Sequence, residues 1–248
     1  MNTEDKKVMK NSTTVRLLPY LLYRFLKQQI RRGRAKAQLR INRFLRKPIR
    51  VIVGASATRQ TGWIPTEEFF FDITNERSIK RFLGGTKIDS ILAEHVIEHL
   101  TEVDFAKFLQ IIPAYLSNSA NIRIAVPDAM HPSPWYRRQL GIAGEELGAE
   151  DHKTFWDYLS ICTFSQQYQF ACCLLEYFDE NGVFHVDAFD EEARGKVSRS
   201  FRNNIGRPSM GSPLVEKLFE GMESSIVHEL KRQGITYSSL ILDMDIRR

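Results

Sequence analysis

The chain has 248 residues, 43% hydrophobic and 26% charged, with a net charge of +5; these ordinary values suit a globular protein with a real core and exclude a low-complexity or fibrous one. No run of about 18 apolar residues occurs, which excludes a transmembrane helix, and the three cysteines, Cys162, Cys172 and Cys173, make no disulfide framework and fit a reducing, cytoplasmic setting. The charge is uneven: residues 1–50 hold 15 Lys or Arg against Glu4 and Asp5, a local +13 that leaves −8 for the other 198 residues.

Residues 1–47 are therefore expected to form a basic N-terminal arm, and residues 48–248 an α/β domain. Residues 1–13 are polar and expected to be disordered. Leu17, Leu18, Leu21, Leu22, Phe25 and Leu26 then recur at helical spacing, with Arg24, Lys27, Arg31, Arg32, Arg34, Lys36, Arg40, Arg43 and Arg46 around and after them. Pro19 fits only the first turn of this helix, and Gly33 is expected to break it. Such a helix packs its apolar stripe on the domain, lies on an anionic membrane surface or touches nucleic-acid phosphates. The acidic main domain argues against nucleic acid, because it repels phosphates away from the arm. The short apolar run, closely followed by arginines, does not read as a signal peptide.

After Pro48, strands and helices alternate. Ile49–Val53 is a β-branched run stopping at Gly54 and reads as a buried strand. Trp63–Glu67 reads as a second strand, Asn75–Leu83 as a helix and Ile88–Ala93 as a third strand. Val96–Leu116 reads as mostly helical, with a new start at Thr101 and Asp104, spaced as a capping box. Ile122–Val126 is a strand closed by Pro127. Phe155–Gln169 reads as a helix, Ala171–Phe178 as a strand, 190–213 as a long polar loop carrying Arg202 and Arg207, Val215–Gln233 as a helix and Tyr237–Asp245 as a last strand. This alternation implies a mostly parallel, Rossmann-like sheet with helices on both faces.

Ligands of such sheets bind beyond the carboxyl ends of the strands. Three expected strand ends carry chemistry. Gly54, Ala55 and Ser56 form a small-residue turn that lets backbone approach a ligand closely. Glu67 is an acid at the end of the second strand, suited to ribose hydroxyls, and Asp72 follows at adenine distance. Glu94-His95-Val96-Ile97-Glu98-His99 packs two acids and two imidazoles into six residues, with Glu94/Glu98 and His95/His99 expected on shared helical faces. His95–His99 also spells the HxxEH spacing of inverted zinc hydrolases, but nothing marks a third ligand, and Glu176 is a candidate only by distance along the chain. No metal site is expected, and no paired Cys/His spacing suggests structural zinc.

Seven segments occur in a telling order: Val53-Gly54-Ala55; Gly62-Trp63 to Glu67; Ala93 to Leu100 (AEHVIEHL); Arg123 to Asp128 (RIAVPD); Asp151-His152-Lys153; Glu176 to His185; and Ser239 to Asp243 (SLILD). Together they resemble a bacterial branch of the type 11 S-adenosylmethionine-dependent methyltransferases, from about residue 49 to the end. The resemblance implies a class I methyltransferase sheet with S-adenosylmethionine as cofactor. It implies that Gly54, Ala55 and Ser56 line the methionine part, that Glu67 holds the ribose, that Asp72 sits by the adenine, and that Glu94 and His95 lie under the sulfonium and substrate. It also implies that the last two strands form an antiparallel hairpin at the sheet edge. The chain departs from the family pattern at Ser56 (usually Gly), at Glu67 (usually Asp) and at Ser117–Ala120 (usually Pro-Gly-Gly).

Methyl transfer is an in-line displacement, so the enzyme must hold the nucleophile against the methyl carbon, and a base helps when the nucleophile is a hydroxyl. The catalytic candidates are His95, Asp128 and His152, with His131 a further base candidate; each falls at a strand end or in a loop on the expected ligand side. Trp135–Asp151, with Gly141, Gly144 and Gly148, is a candidate lid. The acceptor expected is a small molecule or glycan, with peripheral membrane contact through the arm. The alternatives are a non-catalytic binding protein on the same fold and, less favoured, a zinc hydrolase.

Overall fold

The computed structural model describes residues 3–201, 203, 209–235 and 239–247, with side chains from residue 22 onward. Arg202, Arg207, Tyr237 and the side chains of Leu17, Leu18 and Leu21 lie outside it. The element order is α1 (Thr3–Phe44), β1 (Arg50–Val53), β2 (Trp63–Pro65), α2 (Glu76–Leu83), β3 (Ile88–Glu94), α3 (Glu102–Ile111), β4 (Leu116–Pro127), α4 (Pro134–Leu140), α5 (Tyr158–Gln166), β5 (Phe170–Phe178), β6 (Phe184–Val186), α6 (Glu191–Arg194), α7 (Pro213–Phe219), α8 (Ser224–Gln233) and β7 (Ser239–Ile246). One seven-stranded sheet runs in the order β2-β1-β3-β4-β7-β5-β6. β2, β1, β3 and β4 are parallel neighbours; β7 is antiparallel to both β4 and β5. This is the Rossmann-like α/β arrangement expected.

The strands alternate between two faces, as their two-residue period requires. Val51, Val53, Ile91, Ala93, Ile122, Ile124, Leu240 and Leu242 face a large core closed by Ile79 and Phe82 of α2, Phe105 and Phe108 of α3, Ile161 of α5, and Ala35 and Leu39 of α1. Ile52, Leu92, Ala125 and Ile241 face the other way, beneath Phe189 and Val197. That second face is covered by the 187–203 segment, which among its described residues holds the single-turn α6. A third cluster packs α4, α7 and α8 on Phe178 and Phe184.

Local signals explain most boundaries. Asn75 caps α2, its side chain accepting the Ser78 N–H, and Gly84 ends the helix at φ 57. Thr101 caps α3 by accepting the Asp104 N–H at 3.1 Å. The return half of a capping box is absent, because the Asp104 carboxylate takes the Thr101 hydroxyl instead (2.7 Å).

Several expectations need correction. α1 runs unbroken through Pro19 and Gly33 and starts at Thr3, inside the stretch expected to be disordered. The strong helix formers after Gly33 and the docking of Ala35, Leu39 and Asn42 on the domain outweigh the cost of one glycine, about 1 kcal/mol. The described part of the apolar stripe does not pack on the domain: Leu22, Phe25 and Leu26, and Ile30 after them, are each more than half exposed. Val96–Leu116 is less helical than its composition suggests, with short 3-10 turns at Ile97–His99 and Ile112–Tyr115, and β4 already begins at Leu116. The helix expected over Val215–Gln233 is two helices, parted at Gly221, whose φ is 76. The closing strands do not form an edge hairpin. β7 sits inside the sheet, α6, α7 and α8 intervene between it and β5, and the short β6 takes the edge, paired with Phe178, Tyr177 and Glu176.

Candidate functional site

The order β2-β1-β3-β4 places a topological switch point between β1 and β3, because the chain leaving β1 goes to β2 on one side and the chain leaving β3 goes to β4 on the other. Crevices at such points are where open α/β sheets bind ligands. A cleft of about 460 Å³ opens there, lined among others by Val53, Gly54, Glu68, Asp72, His95 and His99.

The backbone around it is unusual. Gly54, Ser56 and His95 adopt left-handed conformations, with φ of 56, 45 and 53. For Ser56 and His95 that conformation is strained, and such strain gathers at functional sites. A Cβ on Gly54 would meet Val96 Cγ2 at 2.9 Å, so both the backbone angle and the space require glycine. His95 at positive φ ends β3 abruptly. Residues 94–99 consequently do not form the continuous helix that would put Glu94 with Glu98, and His95 with His99, on shared faces.

Glu94 turns to the 187–203 segment, where its Oε1 accepts the N–H groups of Ser198 (2.7 Å) and Arg199 (3.0 Å). Its Oε2 is buried with no partner among the described residues. His95 Nδ1 lies 3.0 Å from Oε1 of the fully buried Glu98. His95 Nε2 lies 3.5 Å from Ser239 Oγ. The imidazole is thus oriented by a carboxylate on one nitrogen and opens toward the cleft with its ring.

The two remaining catalytic candidates stand elsewhere. Asp128 is fully buried at the end of β4, and its oxygens accept the N–H groups of Met130 (2.9 Å) and Phe178 (2.8 Å). Burial pushes its carboxyl up to about 7. His152 is buried behind the cleft wall, with Nδ1 2.8 Å from the Leu140 carbonyl. Its ring meets the edge of His99 at a centroid separation of 4.7 Å. His131 is buried against Tyr136 (centroids 3.9 Å), and burial holds its imidazole down to about 3.

The cofactor candidates are also divided. Gly54 and Asp72 line the cleft. Asp72 Oδ1 is held by the N–H and hydroxyl of Thr74 at 2.9 and 2.8 Å. Ala55 points away, into the core beside Trp63, and its N–H bonds the Thr66 carbonyl. Ser56 is exposed. Glu67 faces α1, where its Oε1 lies 2.7 Å from Arg31 Nη1. This pair lies in a neighbouring groove between α1 and β2 that also holds Tyr23, Leu26 and Pro65. The next residue, Glu68, lines the cleft in its place. Sequence reasoning missed Glu68 and the orienting role of Glu98. The adjacent acids Glu67-Glu68, just past β2, were the available signal for the first.

The expected lid is well anchored. α4 opens at Ser133, and Ala143, Gly144, Ala149 and His152 bond within the 140–152 loop. The Glu98 carbonyl accepts the N–H groups of Lys153 (2.7 Å) and Thr154 (3.1 Å), which fixes this loop to the turn after β3.

No family model matches this chain, and no curated protein does. Solved structures similar in fold include a SAM dependent methyltransferase from Archaeoglobus fulgidus, at 15% identity and TM-score 0.39, covering 91% of this chain and 99% of that one. The plantazolicin methyltransferase BamL, in complex with a triazolic desmethylPZN analog and SAH, is similar at 12% identity and TM-score 0.38, covering 92% and 90%. LepI in complex with SAM is similar at 15% identity and TM-score 0.35; 57% of this chain is covered, and it spans only 36% of LepI.

Proposed function

We propose that this chain is an S-adenosylmethionine-dependent methyltransferase acting on a small-molecule or glycan acceptor. The observation that carries the reading is the cleft at the β1/β3 switch point, framed by the left-handed Gly54 and His95. The charge of the lining suits a cationic ligand: Glu68, Asp72, Asp104 and Asp151 line the cleft against one lysine, Lys153. When bound, S-adenosylmethionine supplies an electrophilic methyl group on a sulfonium.

The chain's own part in the reaction is binding, orientation and proton movement. Glu68 and Asp72 serve the ribose and adenine side. Gly54 lets the backbone come close to the methionine part. His95 is the base: the Glu98 carboxylate accepts its Nδ1–H, which leaves Nε2 to take a proton from an acceptor hydroxyl. Asp128 and His152 act as positioning residues, Asp128 by joining the ends of β4 and β5 and His152 from behind His99. A second reading, a binding protein without turnover, is favoured by one observation, that Arg31 already holds Glu67.

Titration calorimetry with S-adenosylmethionine and S-adenosylhomocysteine tests the site. Wild type is expected to bind. Glu68→Ala is expected to weaken binding by about 1–3 kcal/mol, the cost of losing a charged hydrogen-bonding partner, and Glu67→Ala to change it by less than about 1 kcal/mol. Loss at Glu67 alone would return the ribose contact to that residue. No binding by wild type would overturn the cofactor assignment.

The exposed Leu22, Phe25, Leu26 and Ile30, flanked by Arg24 and Lys27, support a peripheral contact of α1 with an anionic membrane surface. Among the described residues no helix is long and apolar enough to cross a membrane.

A further inference from the structure

Behind the cleft wall, Glu98, His99 and His152 each bring one ligand atom within 4.8 Å of the others. More than fifty residues of chain separate His152 from the other two, and specific backbone bonds bring them together. The Glu98 carbonyl takes two N–H groups from the 153–154 backbone, and Thr154 Oγ1 bonds the Ile97 carbonyl (3.3 Å). On its other side, the His152 backbone bonds Ala149 and Ala143.

The protonation pattern suits a metal ion. The Leu140 carbonyl can only accept, so His152 Nδ1 carries the proton and Nε2 presents a lone pair. Glu98 spends Oε1 on His95, while its Oε2 is buried with no partner among the described residues. An uncompensated buried carboxylate oxygen is costly unless a cation or donor meets it. His99 Nδ1 lies 2.9 Å from Asp151 Oδ1 yet makes no hydrogen bond among the described residues, so no fixed bond ties the ring away from a ligand.

We infer that Glu98, His99 and His152 form a binding site for one divalent first-row transition ion of the zinc class. Two imidazoles and a carboxylate are a standard set for such an ion, with room for a further ligand. This is not the HxxEH arrangement. His95 is no ligand; it bonds the other oxygen of Glu98, and the third ligand is His152. His99 also lines the cleft, so an ion held by these three residues would lie at the cleft wall. The site stands without the methyl-transfer reading.

The test uses the full chain, free of any histidine tag and stripped by a chelator. It is titrated with Zn(II) by calorimetry and with Co(II) by visible absorption. One ion per chain is expected, with intense Co(II) d–d bands of a four- or five-coordinate site. Glu98→Gln, His99→Ala and His152→Ala should each weaken Zn(II) binding at least about 100-fold, and His185→Ala, on the far edge strand, should leave it unchanged. Circular dichroism checks that each variant is folded. Should His152→Ala or Glu98→Gln not fold, the half-exposed His99→Ala and the wild-type cobalt spectrum decide. Absence of stoichiometric binding, an octahedral cobalt spectrum of weak intensity, or wild-type affinity in His99→Ala would overturn the proposal.

Discussion

Arg123→Met is the most informative single change to this fold. Arg123 lies in the middle of β4 on the face away from the large core, fully buried. Its register partner on β7 is Asp243, and the two side chains form a fork: Nε to Oδ1 at 2.7 Å and Nη2 to Oδ2 at 2.8 Å. The remaining nitrogen, Nη1, donates to the carbonyls of Gly195 (2.6 Å) and Asp190 (3.1 Å). The guanidinium also sits 4.5 Å from the centre of the Phe189 ring. One side chain therefore joins two central strands and fastens the 187–203 segment over the sheet.

Methionine fills similar space but leaves Asp243 buried without its main partner, a loss of about 3–5 kcal/mol. Arg194, 3.2 Å from Asp243 Oδ2, compensates in part and keeps the figure inside that range. This is a large share of the roughly 5–15 kcal/mol that holds a typical domain together. Urea melts followed by tryptophan fluorescence and by circular dichroism measure it, coincident curves being the check on two-state behaviour. The double variant Arg123→Met with Asp243→Leu should be more stable than the single one, because it removes the stranded charge. Proteolysis within 187–203 should accelerate in both, since both lose the Nη1 contacts. A single-variant loss below about 1 kcal/mol, or a double variant less stable than the single, would refute this account of Arg123.

Two further outcomes are expected. Co-sedimentation of the full chain with phosphatidylglycerol vesicles should exceed that with phosphatidylcholine, weaken with salt, and fall when Leu22, Phe25 and Leu26 are changed to Ser with every basic residue kept; unchanged sedimentation of the triple variant would remove the arm from membrane binding. His131 contributes stability with a definite pH sense: its folded value of about 3 lies below the unfolded 6.5, so its contribution is full above about pH 6.5 and is lost as pH falls toward 3. Asp128, raised to about 7, works the other way, its contribution lost as pH rises from about 4 through 7. In urea melts from pH 4 to 7.5, the stability of wild type relative to His131→Gln should therefore climb up to about pH 6.5 and level off; a difference independent of pH would contradict the buried neutral imidazole.

What was legible in the sequence follows from what is local. β1, α2 and β3 announce themselves by β-branched runs, an Asn cap and a closing Gly-Gly, all within a few residues of where they act. Gly54, Asp72 and His95 follow from where those strands end, whereas the switch point they surround needs the strand order, which only the structure gives. Glu67 shows where local reasoning stops. An acid at the end of β2 is the right kind of residue, but the partner that claims it, Arg31, comes from a helix 36 residues earlier. Arg123 and Asp243 are each a charge inside an apolar strand, a pattern that demands a buried partner and that the sequence reading passed over; only the pairing of β4 with β7 says that they answer one another.

The cluster behind the cleft wall carries the same lesson further. In sequence, HxxEH suggests two histidines on one helical face with a glutamate between them as base. The left-handed His95 breaks that face, because strand β3 has to end before the 3-10 turn can begin. The break sends His95 to the cleft, turns Glu98 inward beneath it and leaves His99 on the wall. His152 reaches this group because its loop bonds the Glu98 carbonyl twice, an attachment through backbone atoms that no residue pattern records. A carboxylate that orients the cleft imidazole with one oxygen and faces two histidines with the other links the two sites through a single side chain. Glu98→Gln should accordingly disturb both the His95 imidazole and the ion, whereas His152→Ala should weaken the ion and leave the Glu98–His95 contact in place.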